Sequence, residues 1–80
     1  MDAADEIEIT LRRWCADHGI AIAPDDSIAE RDATRLLGYR SVSRLARRVD
    51  QGLPVPRFYM RTNHRRYRIR DVVAWLEGEM

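Results

Sequence analysis

The chain has 80 residues, of which 45% are hydrophobic and 34% are charged, a length that suffices for one small domain but not for two. No apolar run approaches the roughly 18 residues that a membrane span requires, and the acidic start does not resemble a signal peptide. Cys15 is the single cysteine, so an internal disulfide is excluded. We therefore expect one cytoplasmic domain with no membrane partner.

The net charge of +1 conceals a strong segregation of charge along the chain. Residues 1–34 contain three arginines and nine acids, a net charge of −6, whereas residues 35–70 contain eleven arginines and one acid, a net charge of +10. The last ten residues contribute three acids. All fourteen basic residues are arginines, whose planar guanidinium suits phosphates and guanine edges. This distribution indicates a polyanionic partner that binds a local basic surface.

Residues 3–18 are predicted to form an acidic amphipathic helix, followed by a connector up to residue 26. Acids crowd its first turns, where the helix dipole favours them, and Gly19 can provide a left-handed stop. Its apolar stripe includes Ile7, Leu11 and Trp14, which are therefore candidate protein-interface residues. We favour packing of this stripe on its own domain; docking on a second copy or on another protein is the alternative. The acidic segment could also cover the basic surface until DNA or a partner displaces it.

Two further helices are predicted between residues 27 and 52. The first starts at Ser27, in a capping box with Glu30, or at Ala29, and is ended by Gly38. The second follows a short turn, with Ser41 as its N-cap, and ends near Gln51 and Gly52. At 100° per residue its basic side chains and its apolar side chains separate onto opposite faces, the basic set being Arg40, Arg44, Arg47 and Arg48, and the apolar set Val42, Leu45, Ala46 and Val49. A tight turn between two such helices is typical of a helix-turn-helix.

The remaining segments are predicted to form a β-hairpin and a terminal helix that opens at Asp71. Two prolines enforce extended chain before residue 57. Residues 57–61 and 65–69 then alternate with period two and are joined by residues 62–64, where Asn63 tolerates a left-handed conformation. Alternation places Phe58, Met60, Tyr67 and Ile69 toward the core, and the outward residues are Arg57, Tyr59, Arg61, Arg66 and Arg68.

From Ser27 onward, this order of motifs resembles the MerR-like winged helix-turn-helix domain of phage excisionases and AlpA-type regulators. The resemblance rests on Leu37–Gly38, the basic helix, Gly52–Leu53–Pro54, the hairpin ending in Arg66–Tyr67–Arg68, and the run from Asp71 to Leu76. It covers about 50 residues, so residues 27–80 are expected to be the DNA-binding domain and residues 1–26 an added acidic helix and connector. The expected fold is mainly α with a small β-hairpin.

The resemblance implies that the third helix enters the major groove of double-stranded DNA and that the hairpin wing contacts the backbone or the minor groove. The residues carried over to the helix and its turn are Arg40, Ser41, Ser43, Arg44, Arg47 and Arg48. Those carried over to the wing are Arg61, Asn63, His64, Arg65, Arg66 and Arg68. The function implied is that of an excisionase, or recombination directionality factor, or of a related transcriptional regulator, bacterial or phage-encoded. Its partners would be DNA, copies of itself on DNA and an integrase or recombinase.

A different class of function is a phage DNA-packaging adaptor similar to a terminase small subunit, which would work mainly through protein partners docked on the acidic helix. Terminase subunits carry additional assembly segments, so we rank this alternative second.

Enzymatic and metal-dependent functions are not expected. Cys15 and His18 form a Cys-x-x-His half-site, but two good ligands do not make a structural zinc site, and both residues are expected on the packed face of the first helix. The same pair lacks an oxyanion hole for nucleophilic catalysis, and the chain has no glycine-rich phosphate loop. We therefore expect no cofactor, no metal and no small-molecule ligand.

Overall fold

The computed structural model describes the backbone of residues 2–79 and the side chains of residues 2–78. These residues form four helices and one three-stranded antiparallel sheet. In chain order the elements are α1 (Ala3–Asp17), β1 (Ser27–Ala29), α2 (Glu30–Leu36), α3 (Arg44–Asp50), β2 (Tyr59–Arg61), β3 (His64–Arg68) and α4 (Ile69–Glu79).

Helix α1 has the predicted start and ends one residue earlier than predicted. The Asp2 carboxylate caps it by accepting a hydrogen bond of 3.0 Å from the Asp5 N–H, and further acids occupy the first turn. At the other end Gly19 has a φ of 67°, and the Ile20 N–H donates to the Cys15 carbonyl at 2.9 Å. This is the left-handed helix stop that the sequence indicates.

The sheet contains a strand that the sequence does not predict. In the order β1-β3-β2, the short β1 pairs with β3 so that Ile28 lies opposite Tyr67. Ser27 is therefore a strand residue. Its hydroxyl donates to the Asp25 carboxylate at 2.6 Å and does not cap α2. The alternative start was correct, since Ala29 is the N-cap of α2. With this strand the fold is a small mixed α/β fold with a larger sheet than the predicted hairpin.

Helices cover one face of this sheet and enclose the core. Helices α2 and α4 contact β3, α1 packs on α4, and α3 packs on α2. The buried hydrophobic residues are Leu11, Cys15, Ile28, Ala33, Leu45, Tyr67, Ile69, Val72 and Val73. No helix among the described residues is both long and apolar enough to cross a membrane.

Two residues predicted on apolar faces are exposed in the structure, and a third is buried in a different element. Met60 points to the core face of the sheet, but it lies next to the hairpin tip and is 55% exposed. Val42 is 44% exposed because the chain becomes helical only at Arg44, so Val42 belongs to the preceding turn. Ile69 is buried as predicted, but it begins α4, which therefore starts two residues before Asp71.

Candidate nucleic-acid interface

The turn between α2 and α3 is held by a glycine stop and by two serines. Gly38 has a φ of 84°, and the N–H of Tyr39 donates to the Thr34 carbonyl at 3.2 Å. The Ser41 and Ser43 hydroxyls lie 2.9 Å apart in the exposed part of the turn. The predicted capping role of Ser41 is wrong, because α3 begins at Arg44 with Ser43 as its N-cap. Both hydroxyls instead lie in the loop that leads into the basic helix.

The arginines of α3 and of the preceding turn form an uncompensated basic face. Arg40, Arg44 and Arg47 are exposed, and Arg48 is half-buried. Within the part of the chain that the structure describes, none of these four arginines forms a salt bridge. The basic face predicted from the helical period is therefore present, although Arg40 belongs to the turn and not to the helix.

Local contacts orient three of these guanidinium groups. Arg47 donates to the Ser41 hydroxyl at 3.1 Å, and the Arg44 guanidinium lies 5.9 Å from the centre of the Tyr39 ring. Arg48 donates from Nε and Nη2 to the Pro54 carbonyl at 3.0 and 2.9 Å. Arg48 thus anchors the segment that follows α3, whereas Arg44 and Arg47 remain available to a ligand.

The β2–β3 hairpin turns through two residues that both have left-handed backbone. Thr62 has a φ of 50° and Asn63 a φ of 65°, which is the requirement of a type I′ turn. The turn is one residue shorter than predicted, because His64 pairs with Arg61. Arg61, Asn63 and His64 are all exposed at this tip.

Strand alternation divides the basic residues of the hairpin between two faces. Residues directly opposite each other in the register share a face, so Arg66 and Arg68 lie with Tyr59 on the face opposite Tyr67. On this outer face Arg66 donates to the Ser27 hydroxyl and carbonyl, both at 3.1 Å, and the Arg68 guanidinium lies 4.5 Å from the centre of the Tyr59 ring. Both arginines are half-buried, and neither forms a salt bridge among the described residues.

Arg65 lies on the inner face and differs from its neighbours in having an acidic partner. Its Nε and Nη2 donate to the Glu30 carboxylate, the latter at 3.2 Å, and the Tyr67 hydroxyl donates to the same carboxylate at 2.8 Å. These contacts raise the pKa of the Arg65 guanidinium, while burial and then Glu30 raise the pKa of Tyr67. The structure therefore separates Arg65 from the other predicted wing residues and ties it to α2.

A polar cluster fixes the outer face of the sheet to the loop before β1. Asp25 accepts hydrogen bonds from the Ser27 N–H at 3.1 Å, from the Ser27 hydroxyl, and from the Tyr59 hydroxyl. Hydrogen bonds from Ser27 and then Tyr59 lower the pKa of Asp25 to about 2. Strand alternation correctly predicted that Tyr59 lies on the outer face. Its bond to Asp25 was not predicted, since nothing local to residue 59 indicates a partner 34 positions earlier.

The apolar stripe of α1 packs against its own domain, as favoured from the sequence. Leu11 is 7% exposed, and Ile7 and Trp14 are partly buried against the same core. Cys15 is fully buried, but the prediction that His18 shares this packed face is wrong. His18 is exposed at the helix end, where its ring stacks on Trp14 with a centroid distance of 4.0 Å. Among the described residues, no three acids, histidines or cysteines are grouped closely enough to hold a metal ion.

Comparison of the chain with protein-family models, with curated proteins and with solved structures finds no match.

Proposed function

We propose that the protein binds double-stranded DNA through a winged helix-turn-helix, with α3 as the recognition helix and the β2–β3 hairpin as the wing. The observation that carries this proposal is the set of arginines on α3 and on the outer face of the hairpin that have no acidic partner among the described residues. The arginines that do form salt bridges, Arg12, Arg35 and Arg65, lie outside both surfaces.

The dimensions and chemistry of α3 are compatible with the major groove. An α-helix with its side chains is about 10–12 Å in diameter, which fits the major groove of B-DNA, about 12 Å wide. The seven residues of α3 extend about 10 Å along the helix axis. Arg44 and Arg47 can then donate bidentately to a guanine or to a phosphate. Ser41, which is half-buried, and Ser43, which is exposed, lie in the turn before α3 and can donate to the sugar-phosphate backbone.

The hairpin supplies the second contact of the proposed complex. Arg61, Asn63 and His64 project from its tip, and Arg66 and Arg68 line its outer face. A narrow minor groove has an enhanced negative potential that attracts an inserted arginine, and the phosphates on either side accept hydrogen bonds. Arg65 is omitted from this interface because Glu30 holds it on the inner face.

The biological role that we propose follows from the resemblance to excisionases and AlpA-type regulators. On this proposal the protein is an accessory factor that performs no chemistry. It binds near a recombination site or a promoter and acts together with copies of itself or with an integrase or recombinase.

A salt-titrated binding assay tests the DNA-binding proposal. The wild-type protein would be compared with Arg44→Ala, Arg61→Ala and Arg13→Ala on random duplex and on DNA flanking its own gene. Arg13 is the matched control, because it is an exposed arginine of α1 that lies outside both surfaces. We expect the salt slope to decrease by about 0.9 for each phosphate that a variant no longer neutralises, and removal of a base-specific hydrogen bond to cost about 1–3 kcal/mol on the preferred sequence alone.

Two outcomes would contradict the proposal. One is the absence of duplex binding at low salt, which would favour a function through protein partners. The other is an equal effect of Arg13→Ala and Arg44→Ala, which would mean that the basic surface attracts DNA without a defined contact.

A further inference from the structure

A groove of about 590 Å³ lies between the hairpin tip and the junction of β1 with α2. Arg61, Asn63 and His64 line it from the hairpin, and Ala29 and Arg31 line it from the opposite side. It exists because β1 ends at Ala29, which pairs with Arg66, and α2 begins at the next residue. The first residues of β3 therefore have no neighbouring strand on this side. Arg31 belongs neither to the recognition helix nor to the predicted set of wing residues.

The charge of this groove favours an anion. Four arginines and one glutamate line it, and the glutamate, Glu30, already accepts hydrogen bonds from Arg65. Arg31 and Arg61 are exposed and form no salt bridge within the described part of the chain. Arg66 also lacks an acidic partner among the described residues, but it donates to the Ser27 hydroxyl and carbonyl. The groove thus presents two exposed guanidinium groups, Arg31 and Arg61, that are free to bind an anion.

We propose that this groove binds a backbone phosphodiester of the duplex that α3 enters, and that Arg31 is a DNA contact outside the recognition helix and the wing. This inference rests on the proposed function. Helix α2 contacts both α3 and β3, so a duplex that touches α3 and the hairpin must also pass close to α2. A phosphodiester carries one negative charge at every pH of interest, and two guanidinium groups can donate to its free oxygens.

The open shape of the groove favours a phosphate that belongs to a polymer over a free anion. Arg31, Asn63 and His64 are exposed, so a small anion in this groove would stay largely hydrated and would gain little from exposed arginines. A backbone phosphate is placed there by all the other contacts of the duplex, and its condensed counterions are released on binding.

The first test compares Arg31→Ala with the control Arg13→Ala and with Arg44→Ala on one duplex between about 50 and 200 mM salt. A variant that neutralises one phosphate fewer has a slope smaller by about 0.9, so the wild-type protein should lose about threefold more affinity over this range than Arg31→Ala does. The preference for specific over random DNA should be unchanged in Arg31→Ala, because a phosphate contact strengthens binding to all sequences alike. Thermal unfolding of each variant checks that the exposed substitution leaves the fold intact.

A second test locates the contact on the DNA. Methylphosphonate linkages, which are uncharged, would be placed one at a time along the duplex. We expect one position that weakens the wild-type protein but does not further weaken Arg31→Ala, and Arg31→Lys should restore part of the sensitivity at that position. Titration of the protein alone with inorganic phosphate should give no saturable shift of the Arg31 and His64 resonances below millimolar concentration.

The outcomes separate the two proposals. If Arg31→Ala behaves as Arg13→Ala does while Arg44→Ala weakens binding, the groove proposal fails and the DNA-binding proposal stands. If no variant alters duplex binding, or if the wild-type protein does not bind, the proposed function itself fails. Tight binding of inorganic phosphate would overturn the assignment of the groove to a backbone phosphodiester.

Discussion

Glu30 joins the start of α2 to the inner face of the hairpin, and its replacement by alanine should be strongly destabilising. The carboxylate accepts hydrogen bonds from Arg65 and from the Tyr67 hydroxyl, and Tyr67 is fully buried. The Glu30→Ala variant leaves the Tyr67 hydroxyl without an acceptor, at a cost of about 1–3 kcal/mol. The side chains of Arg65 and Glu30 are 23% and 19% exposed, so removal of their ion pair should cost about 1 kcal/mol, near the upper value for surface pairs and well below that for fully buried ones.

These contributions amount to a decrease of about 3 kcal/mol in the free energy of unfolding, a large fraction of the stability of a small domain. Urea unfolding monitored by far-UV circular dichroism measures it directly. The midpoint of thermal unfolding should fall by about 12–24 °C, since 1 kcal/mol corresponds to about 4–8 °C in a domain of this size. The matched control is Glu77→Ala, which removes an exposed acid of α4 and should change stability by less than about 0.5 kcal/mol.

A double-mutant cycle isolates the hydrogen bond on which this prediction depends. Tyr67→Phe should be clearly destabilising in the wild-type background. In the Glu30→Ala background it should instead restore part of the lost stability, because it removes a buried hydroxyl that has no acceptor left. Equal costs of Tyr67→Phe in both backgrounds, or a Glu30→Ala variant within about 0.5 kcal/mol of the wild type, would refute the reasoning.

Three further predictions concern single groups of the fold. Because the folded chain raises the pKa of Tyr67 above its unfolded value of 10.0, the stability that depends on the protonated hydroxyl is intact below pH 10 and is lost as the pH rises above it. The free energy of unfolding should therefore fall less steeply with alkaline pH in Tyr67→Phe than in the wild type, and identical pH dependences would contradict this. Burial encloses Cys15 and raises the pKa of its thiol, so a thiol reagent such as DTNB should modify it only at the rate of unfolding; a fast burst of reaction with native protein would exclude this burial. Thr62 has a φ of 50°, which strains a β-branched residue, and Thr62→Asn should therefore raise the unfolding midpoint by about 4–8 °C; a decrease would mean that the Thr62 side chain makes an interaction that outweighs the strain.

Signals that lie within a few residues of one another predicted much of the helical structure. The acids at the start of α1, and the glycines at positions 19, 38 and 52, indicate ends that the structure places within one or two residues, all three glycines having positive φ. The basic face of α3 was predicted from the helical period in the same way. Each of these features depends on local backbone conformation, which a short window of sequence determines.

The features that the sequence could not predict depend on interactions between distant residues. Strand β1 is three residues long and has no periodicity of its own; it is a strand because Ser27 pairs with Arg68. The Glu30–Arg65 pair spans 35 positions, and the hydrogen bond between Tyr59 and Asp25 spans 34. A local cue at Ser27 suggested a helix cap, and tertiary pairing overrode it.

Because side chains alternate along β3, one residue stabilises the fold while the next lies on the proposed DNA-binding surface. Arg65 points inward to Glu30 and supports the packing of α2 against the hairpin, whereas Arg66 points outward to Ser27 on the surface proposed to meet DNA. Substitution of Arg65 would release Glu30 and so alter both the fold and the wall of the adjacent groove. Weaker DNA binding by such a variant would therefore not identify a contact with DNA. Substitution of Arg61, which is exposed and forms no salt bridge among the described residues, changes the charge of the proposed interface and leaves the Glu30 hydrogen bonds in place. The two faces of the hairpin must be tested separately. Substitutions of Arg61 on β2 and of Arg65 on β3 allow this.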